Sequence, residues 1–137
     1  MTYLLDVNAL LSLAQNEHQF HRRMAHWVHS LARDGSDQLA TCAITELGFV
    51  RILPQIPEAE YTVAEARGLL VRLKSHALVP FVFYSDDHGA DRLPSWVKAA
   101  KHTTDGHLAE LAKAHGAILA TLDGKIPGAF VMPEKGS

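Results

Sequence analysis

Thr2-Tyr3-Leu4-Leu5-Asp6-Val7-Asn8-Ala9-Leu10-Leu11 changes its hydrophobic period in the middle. Thr2–Leu5 is a short apolar run ending on an acid, the pattern of a buried strand. From Val7 onward, Val7, Leu10, Leu11 and Ala14 recur at three- and four-residue steps, which predicts a helix over Val7–Gln15. A strand that passes straight into a helix opens a βα unit, and the alternation continues along the chain. A second helix is predicted over His18–Arg33, burying Phe20, Met24, Trp27, Val28 and Leu31, with Asp34-Gly35-Ser36 as its stop. Gln38–Ala43 reads as a strand, and Thr45 is expected to cap a helix that runs to Leu53 and is stopped by Pro54. After the connector Pro54–Tyr61, a helix Thr62–Lys74 is expected to turn Val63, Ala66, Leu69, Leu70 and Leu73 inward. Val79–Phe83 and Ala117–Leu122 read as strands, and Phe130-Val131 as a short last one. Between them a helix Asp105–His115 is capped by Thr103 or Thr104 and closed by Gly116. Tyr84–Lys101 reads as a long loop holding a short helix. Strands alternating with helices pair in parallel through crossovers. The expected class is α/β, a three-layer α/β/α sandwich around a mostly parallel sheet, in one domain over residues 1–137.

A chain of 137 residues with 47% hydrophobic and 20% charged residues can bury a core without staples. The single cysteine, Cys42, excludes an internal disulfide and a cysteine-based zinc site, and its apolar setting suits a small buried hydrophobe. No run approaches the ~20 apolar residues of a membrane span, and no secretory leader opens the chain, so a cytoplasmic protein is expected. The formal net charge of −2 opposes a general electrostatic grip on nucleic acid. Cations bound in a local acidic site would cancel part of that charge.

Asp6, Glu46, Asp105 and Asp123 each have a local explanation. Asp6 is placed to cap a helix, Glu46 and Asp105 lie in first helical turns, and Asp123 precedes Gly124 in a turn pair. Their common location is more informative. All four are expected at the carboxyl ends of parallel strands, the edge of an open α/β sheet where ligands bind. Carboxylates gathered there raise one another's pKa, and a divalent cation resolves the conflict. An all-oxygen donor set suits Mg²⁺, with Mn²⁺ able to substitute, and such a site can activate water against a phosphodiester.

The stretches Leu4–Leu11, Thr45-Glu46-Leu47-Gly48-Phe49-Val50-Arg51, Thr104-Asp105-Gly106-His107-Leu108-Ala109 and Ala120-Thr121-Leu122-Asp123 resemble, in order and spacing, the successive motifs of PIN domains, in particular those of VapC toxins of VapBC toxin–antitoxin pairs. The resemblance implies a Mg²⁺-dependent endoribonuclease acting on RNA, a homodimer, and inhibition by a cognate VapB-type antitoxin. It implies Asp6 and Asp105 as the main metal ligands, Glu46 and Asp123 completing the site, and Asn8 and Thr104 supporting it or touching substrate. Gly124 stands where many relatives carry Arg, and Tyr84–Lys101 matches no motif.

His18, His21, His26 and His29 share one expected helix, but Phe20, Met24 and Trp27 take its buried side, which turns most of them to solvent rather than into a zinc site. His102 and His107 flank Asp105, with packing the simpler role. Arg22, Arg23, Arg51, Lys98 and Lys101 are candidates for RNA contact or ordinary surface. Leu11, Phe20 and Trp27 are candidate anchors in a groove for an arginine-bearing antitoxin segment, with core packing expected for at least two. The alternatives in function are a catalytically silent PIN-like interaction domain and a receiver-like phosphoacceptor module. Asp6-Val7-Asn8 lacks the paired acids that the receiver would need.

Overall fold

The computed structural model describes residues 1–134. Five strands, β1 (Thr2–Leu5), β2 (Gln38–Cys42), β3 (Phe81–Tyr84), β4 (Ile118–Thr121) and β5 (Phe130–Val131), form one sheet in the order β3-β2-β1-β4-β5, and every pairing is parallel. Five helices connect them: α1 (Val7–Ala14), α2 (His21–Asp34), α3 (Ala43–Ile52), α4 (Val63–His76) and α5 (Thr103–Ala114). The architecture is the expected α/β sandwich. Its strand order runs one way from β1 to β2 and β3, then resumes on the other side at β4. The carboxyl ends of β1 and β4 therefore flank the switch point where open parallel sheets form their crevice.

Strand alternation divides the core into two unequal layers. Leu5 and Leu39 face a large cluster with Leu10, Met24, Trp27, Phe49, Leu53 and Leu70 from α1–α4 and the turn after α3. Leu4, Ala40, Cys42 and Leu119 face the opposite way, onto Leu108, Leu111 and Ala112 of α5. Cys42 is fully buried, as its apolar setting predicts. Trp27 and Leu11 belong to the core, whereas Phe20 is only half-buried. Trp27 meets Tyr3 edge-on at 5.1 Å and stacks on Phe130 at 5.5 Å, tying α2 to both β1 and β5. Among the described residues no helix is long and apolar enough to cross a membrane.

Element ends differ from the sequence reading where local chemistry competes with periodicity. α2 begins at His21, because the Phe20 amide is taken by His18 Nδ1 outside the helix. The N-cap of α3 is Cys42, and Thr45 sits inside the helix with its hydroxyl accepting the Cys42 amide at 3.0 Å. Pro54 does not stop the chain dead: Leu53–Gln55 continues as a 3₁₀ turn, where proline at an early position removes no needed donor. Val63 follows the Thr62 cap and is 55% exposed rather than inward. α5 begins at Thr103, so neither Thr103 nor Thr104 is its cap. The long 84–101 segment carries a 3₁₀ turn at Ala90–Arg92, and a second follows at Ala100–His102.

Candidate active site

Asp6 ends β1 and caps α1, accepting the Ala9 amide on Oδ1 at 2.8 Å. Its other oxygen accepts the Thr121 hydroxyl at 2.6 Å, and its own amide donates to the Ala120 carbonyl of β4 at 3.2 Å. The carboxylate is thus fixed from both sides of the switch point. Asp123 follows β4, its amide donating to Thr121 Oγ1 at 3.0 Å, which makes Thr121 the link between the two acids. Asp105 lies in the first turn of α5, part-buried, with His102 Nδ1 3.9 Å from its Oδ2.

Two of these acids, Asp6 and Asp105, are perturbed. Burial is the main reason the Asp6 carboxyl is pushed above the ordinary range; hydrogen bonds from Thr121 and Ala9 pull it down, and the charges of Asp105 and Asp123 push it up again. Asp105 is also raised, first by burial and then by Asp123, with His102 opposing. Glu46 is engaged differently. Thr41 donates to its Oε2, and Lys74 of α4 pairs with the same oxygen, the Lys74 ammonium also lying 5.6 Å from the Phe83 ring. The structure therefore brings Asp6, Asp105 and Asp123 together electrostatically and gives Glu46 a protein cation. Among the described residues no group of three or more His, Cys, Asp and Glu side chains is placed, as the side chains stand, to hold a metal ion. Asn8 is exposed and lines a cleft of about 340 Å³ beside Asp123, together with His18, Gln19 and Phe20, while Thr104 is exposed in the first turn of α5.

Sequence reasoning missed Thr41, Thr121 and Lys74. The two threonines carried a usable signal: each is a polar residue in an otherwise apolar buried strand, which must find a partner for its hydroxyl. Lys74 had none, since its partner lies 28 residues away on another helix. The histidines are structural in several ways. His21 Nδ1 meets the Ser12 carbonyl at 2.9 Å, His26 and His29 are exposed, and His107 binds Asp86. The Asp86 carboxyl, which burial pushes up, is pulled further down by His107 and the His88 amide, so its net shift is downward. A depressed folded-state pKa gives stability that is present above the unfolded value of about 4 and is lost as pH falls through the folded value. Asp86→Asn is expected to lower stability at neutral pH and to flatten the loss below about pH 4, read by thermal melts across pH.

A family model for the PIN domain matches residues 3–129, and the chain belongs to the PIN-domain family. Its relatives carry VapC names. It is similar to Ribonuclease VapC38 of Mycobacterium tuberculosis (strain ATCC 25618 / H37Rv), 37% identical over 136 residues, spanning 96% of this chain and 90% of that protein. Ribonuclease VapC44 of the same strain is 36% identical over 132 residues, spanning 92% and 89%. The crystal structure of VapBC2 from Rickettsia felis, bound to a DNA fragment from their promoter, shares the fold with a TM-score of 0.64 at 14% identity, over 96% of this chain and 97% of that one.

Proposed function

We propose that this chain is a single-domain, Mg²⁺-dependent endoribonuclease, the toxin component of a type II toxin–antitoxin pair acting in the cytoplasm. The observation that carries the reading is the position of three acids around the switch point: Asp6 after β1, Asp123 after β4 and linked to Asp6 through Thr121, and Asp105 in the first turn of α5. The VapC ribonuclease names of its relatives supply the substrate class.

By donor type the acids suit a hard cation, which would have to draw them closer together than they stand. Asp6 and Asp105, whose charged forms are disfavoured by burial and then by neighbouring acids, would be relieved by a divalent ion, and an open arrangement suits Mg²⁺, which keeps several of its waters. Asp6, Asp105 and Asp123 would hold Mg²⁺ or Mn²⁺, with Glu46 completing the set by exchanging Lys74 for the ion. When bound, the ion supplies an activated water and offsets charge on the leaving oxygen of a phosphodiester. The protein's own part is orientation. Thr121 and the Ala9 amide lock the Asp6 carboxylate, and Asn8 and Thr104, both exposed beside the acids in sequence, offer hydrogen bonds to the RNA. The N-termini of α1 and α5 favour the phosphate's negative charge. Excess EDTA is expected to stop cleavage of end-labelled RNA, and added Mn²⁺ to restore it. Cleavage that persists in EDTA would refute metal dependence.

The proposed partners are RNA, a VapB-type antitoxin and a second copy of the chain. An arginine from the antitoxin would pair with the acids in place of the ion, since guanidinium never deprotonates and grips carboxylates bidentately. For self-association, α3 and α4 expose Ile44, Leu47, Val63 and Val71, with Leu47 at 69% and Val71 at 63% exposure. Such an apolar face suits a two-fold, self-complementary interface. Light scattering at micromolar concentration is expected to give a dimer mass that Leu47→Glu reduces to a monomer. A monomeric parent would end the dimer reading.

A further inference from the structure

We propose that the cleft between the α1–α2 connection and the end of β4 seats one base of single-stranded RNA next to the scissile phosphodiester, with Phe20 as its stacking surface and Gln19, His18 and Asn8 reading its edge. This rests on the ribonuclease reading and adds the place where sequence preference would arise.

The cleft is lined by Asn8, His18, Gln19, Phe20, Leu122 and Asp123, so it opens directly onto one of the acids. Its volume of about 340 Å³ lies at the lower end of the range for small-ligand pockets. Phe20 is half-buried although the rest of the apolar stripe of α2 is in the core. Its ring is braced rather than covered: His18 lies 5.9 Å away at 38°, and the Arg23 guanidinium lies 5.9 Å from its centroid. Arg23 is itself pinned, donating through Nη2 to the Met132 carbonyl at 2.6 Å and through Nε at 3.1 Å. An aromatic ring held in place and open to a cleft is what unstacked bases use.

The edge-reading groups are available. The Phe20 amide donates to His18 Nδ1 at 3.1 Å, which puts the proton of the neutral ring on Nε2. That nitrogen has only a 3.5 Å contact with Ser12 Oγ, whose own proton goes to the Asn8 carbonyl at 2.7 Å. Burial, and then the nearby His21, hold His18 toward its neutral form. Gln19 and Asn8 are exposed, and neither side-chain amide is spent on a protein partner among the described residues. A ring N–H donor and two amides, each with a donor and an acceptor, provide the mixed pattern needed to discriminate base edges.

The test has two readouts. In the first, a random-sequence RNA pool is cut by the parent, Gln19→Ala, Phe20→Ala and Phe20→Leu, and the new ends are sequenced. The parent is expected to prefer one base at a fixed position beside the cut, and Gln19→Ala to flatten that preference. In the second, oligonucleotides carrying 2-aminopurine are bound to the Asp105→Asn protein without cleavage. Fluorescence quenching by stacking is expected, and Phe20→Ala or Phe20→Leu in that background should remove it and weaken binding about tenfold. If Phe20→Ala does not fold, Phe20→Leu and the exposed Gln19→Ala carry the comparison. Unchanged base preference and unchanged quenching overturn the proposal, as they would if a peptide of a protein partner were the true occupant. Absence of any RNA cleavage by the parent strikes the ribonuclease reading, while the quenching result still decides the base seat.

Discussion

Asp105→Asn is expected to lower RNA cleavage about a thousandfold or more while leaving the metal-free fold at least as stable as the parent. The activity loss follows from removing one of the main donors. Glu46 already has its own place in the proposed set, on exchange of Lys74 for the ion, and cannot also stand in for Asp105. The stability result follows from sign. A carboxyl whose pKa is raised in the folded state binds its proton more tightly there, so ionisation at neutral pH works against folding. Neutral asparagine removes that opposition. Asp6→Asn should behave alike, because an amide can still accept the Ala9 amide and can donate to Thr121 Oγ1, whose hydroxyl then turns elsewhere. Both variants should also lose the gain in metal-free stability that the parent shows as pH falls through the raised pKa values. Thermal melts in EDTA and gel-based cleavage in Mg²⁺ check the two halves separately. A variant that loses activity together with its fold would count against a purely chemical role.

Gly106→Val is expected to cost about 3 kcal/mol and to lower the melting temperature by on the order of 10 °C. Gly106 lies one residue past Asp105, where α5 runs under the 84–101 segment. A Cβ there would stand 2.3 Å from Val97 Cγ2 and 3.2 Å from Pro94 Cδ, and both belong to stiff side chains that cannot swing clear. Gly106→Ala makes the same collision with a smaller group and gains helix propensity, so its cost should be lower. Because the collision is relieved by pushing away either the loop or the start of α5, cleavage should fall as well. Chemical denaturation and the cleavage rate, measured together, test this coupling.

The sequence was most legible where one short stretch carried two periods. Thr2–Leu11 announced both β1 and α1, and the parallel class followed from repetition of that unit. The placement of Asp6 and Asp123 just past β1 and β4 was readable too, since it depends only on where strands end. Glu46 was readable as a first-turn acid, but its pairing with Lys74 was not, because nothing local couples residues on α3 and α4. The 84–101 segment was opaque for a related reason. It is ordered by particular side-chain bonds, such as His107 with Asp86 and the stack of Tyr84 on His115 at 4.1 Å, not by a repeating pattern. Helix starts were misjudged where a side chain took a backbone partner out of turn, as His18 does with the Phe20 amide.

The Thr121–Asp6 hydrogen bond joins residues 115 positions apart. A ribosome delivers Asp6 first, but β4 is the strand that fixes it, and β4 is made after β2 and β3. A growing chain that has released β1, β2 and β3 therefore has most of its sheet and no acid cluster. Such long-range pairing also makes the final closure slow compared with helix formation. The order of synthesis thus withholds the site until residue 123 has left the exit tunnel.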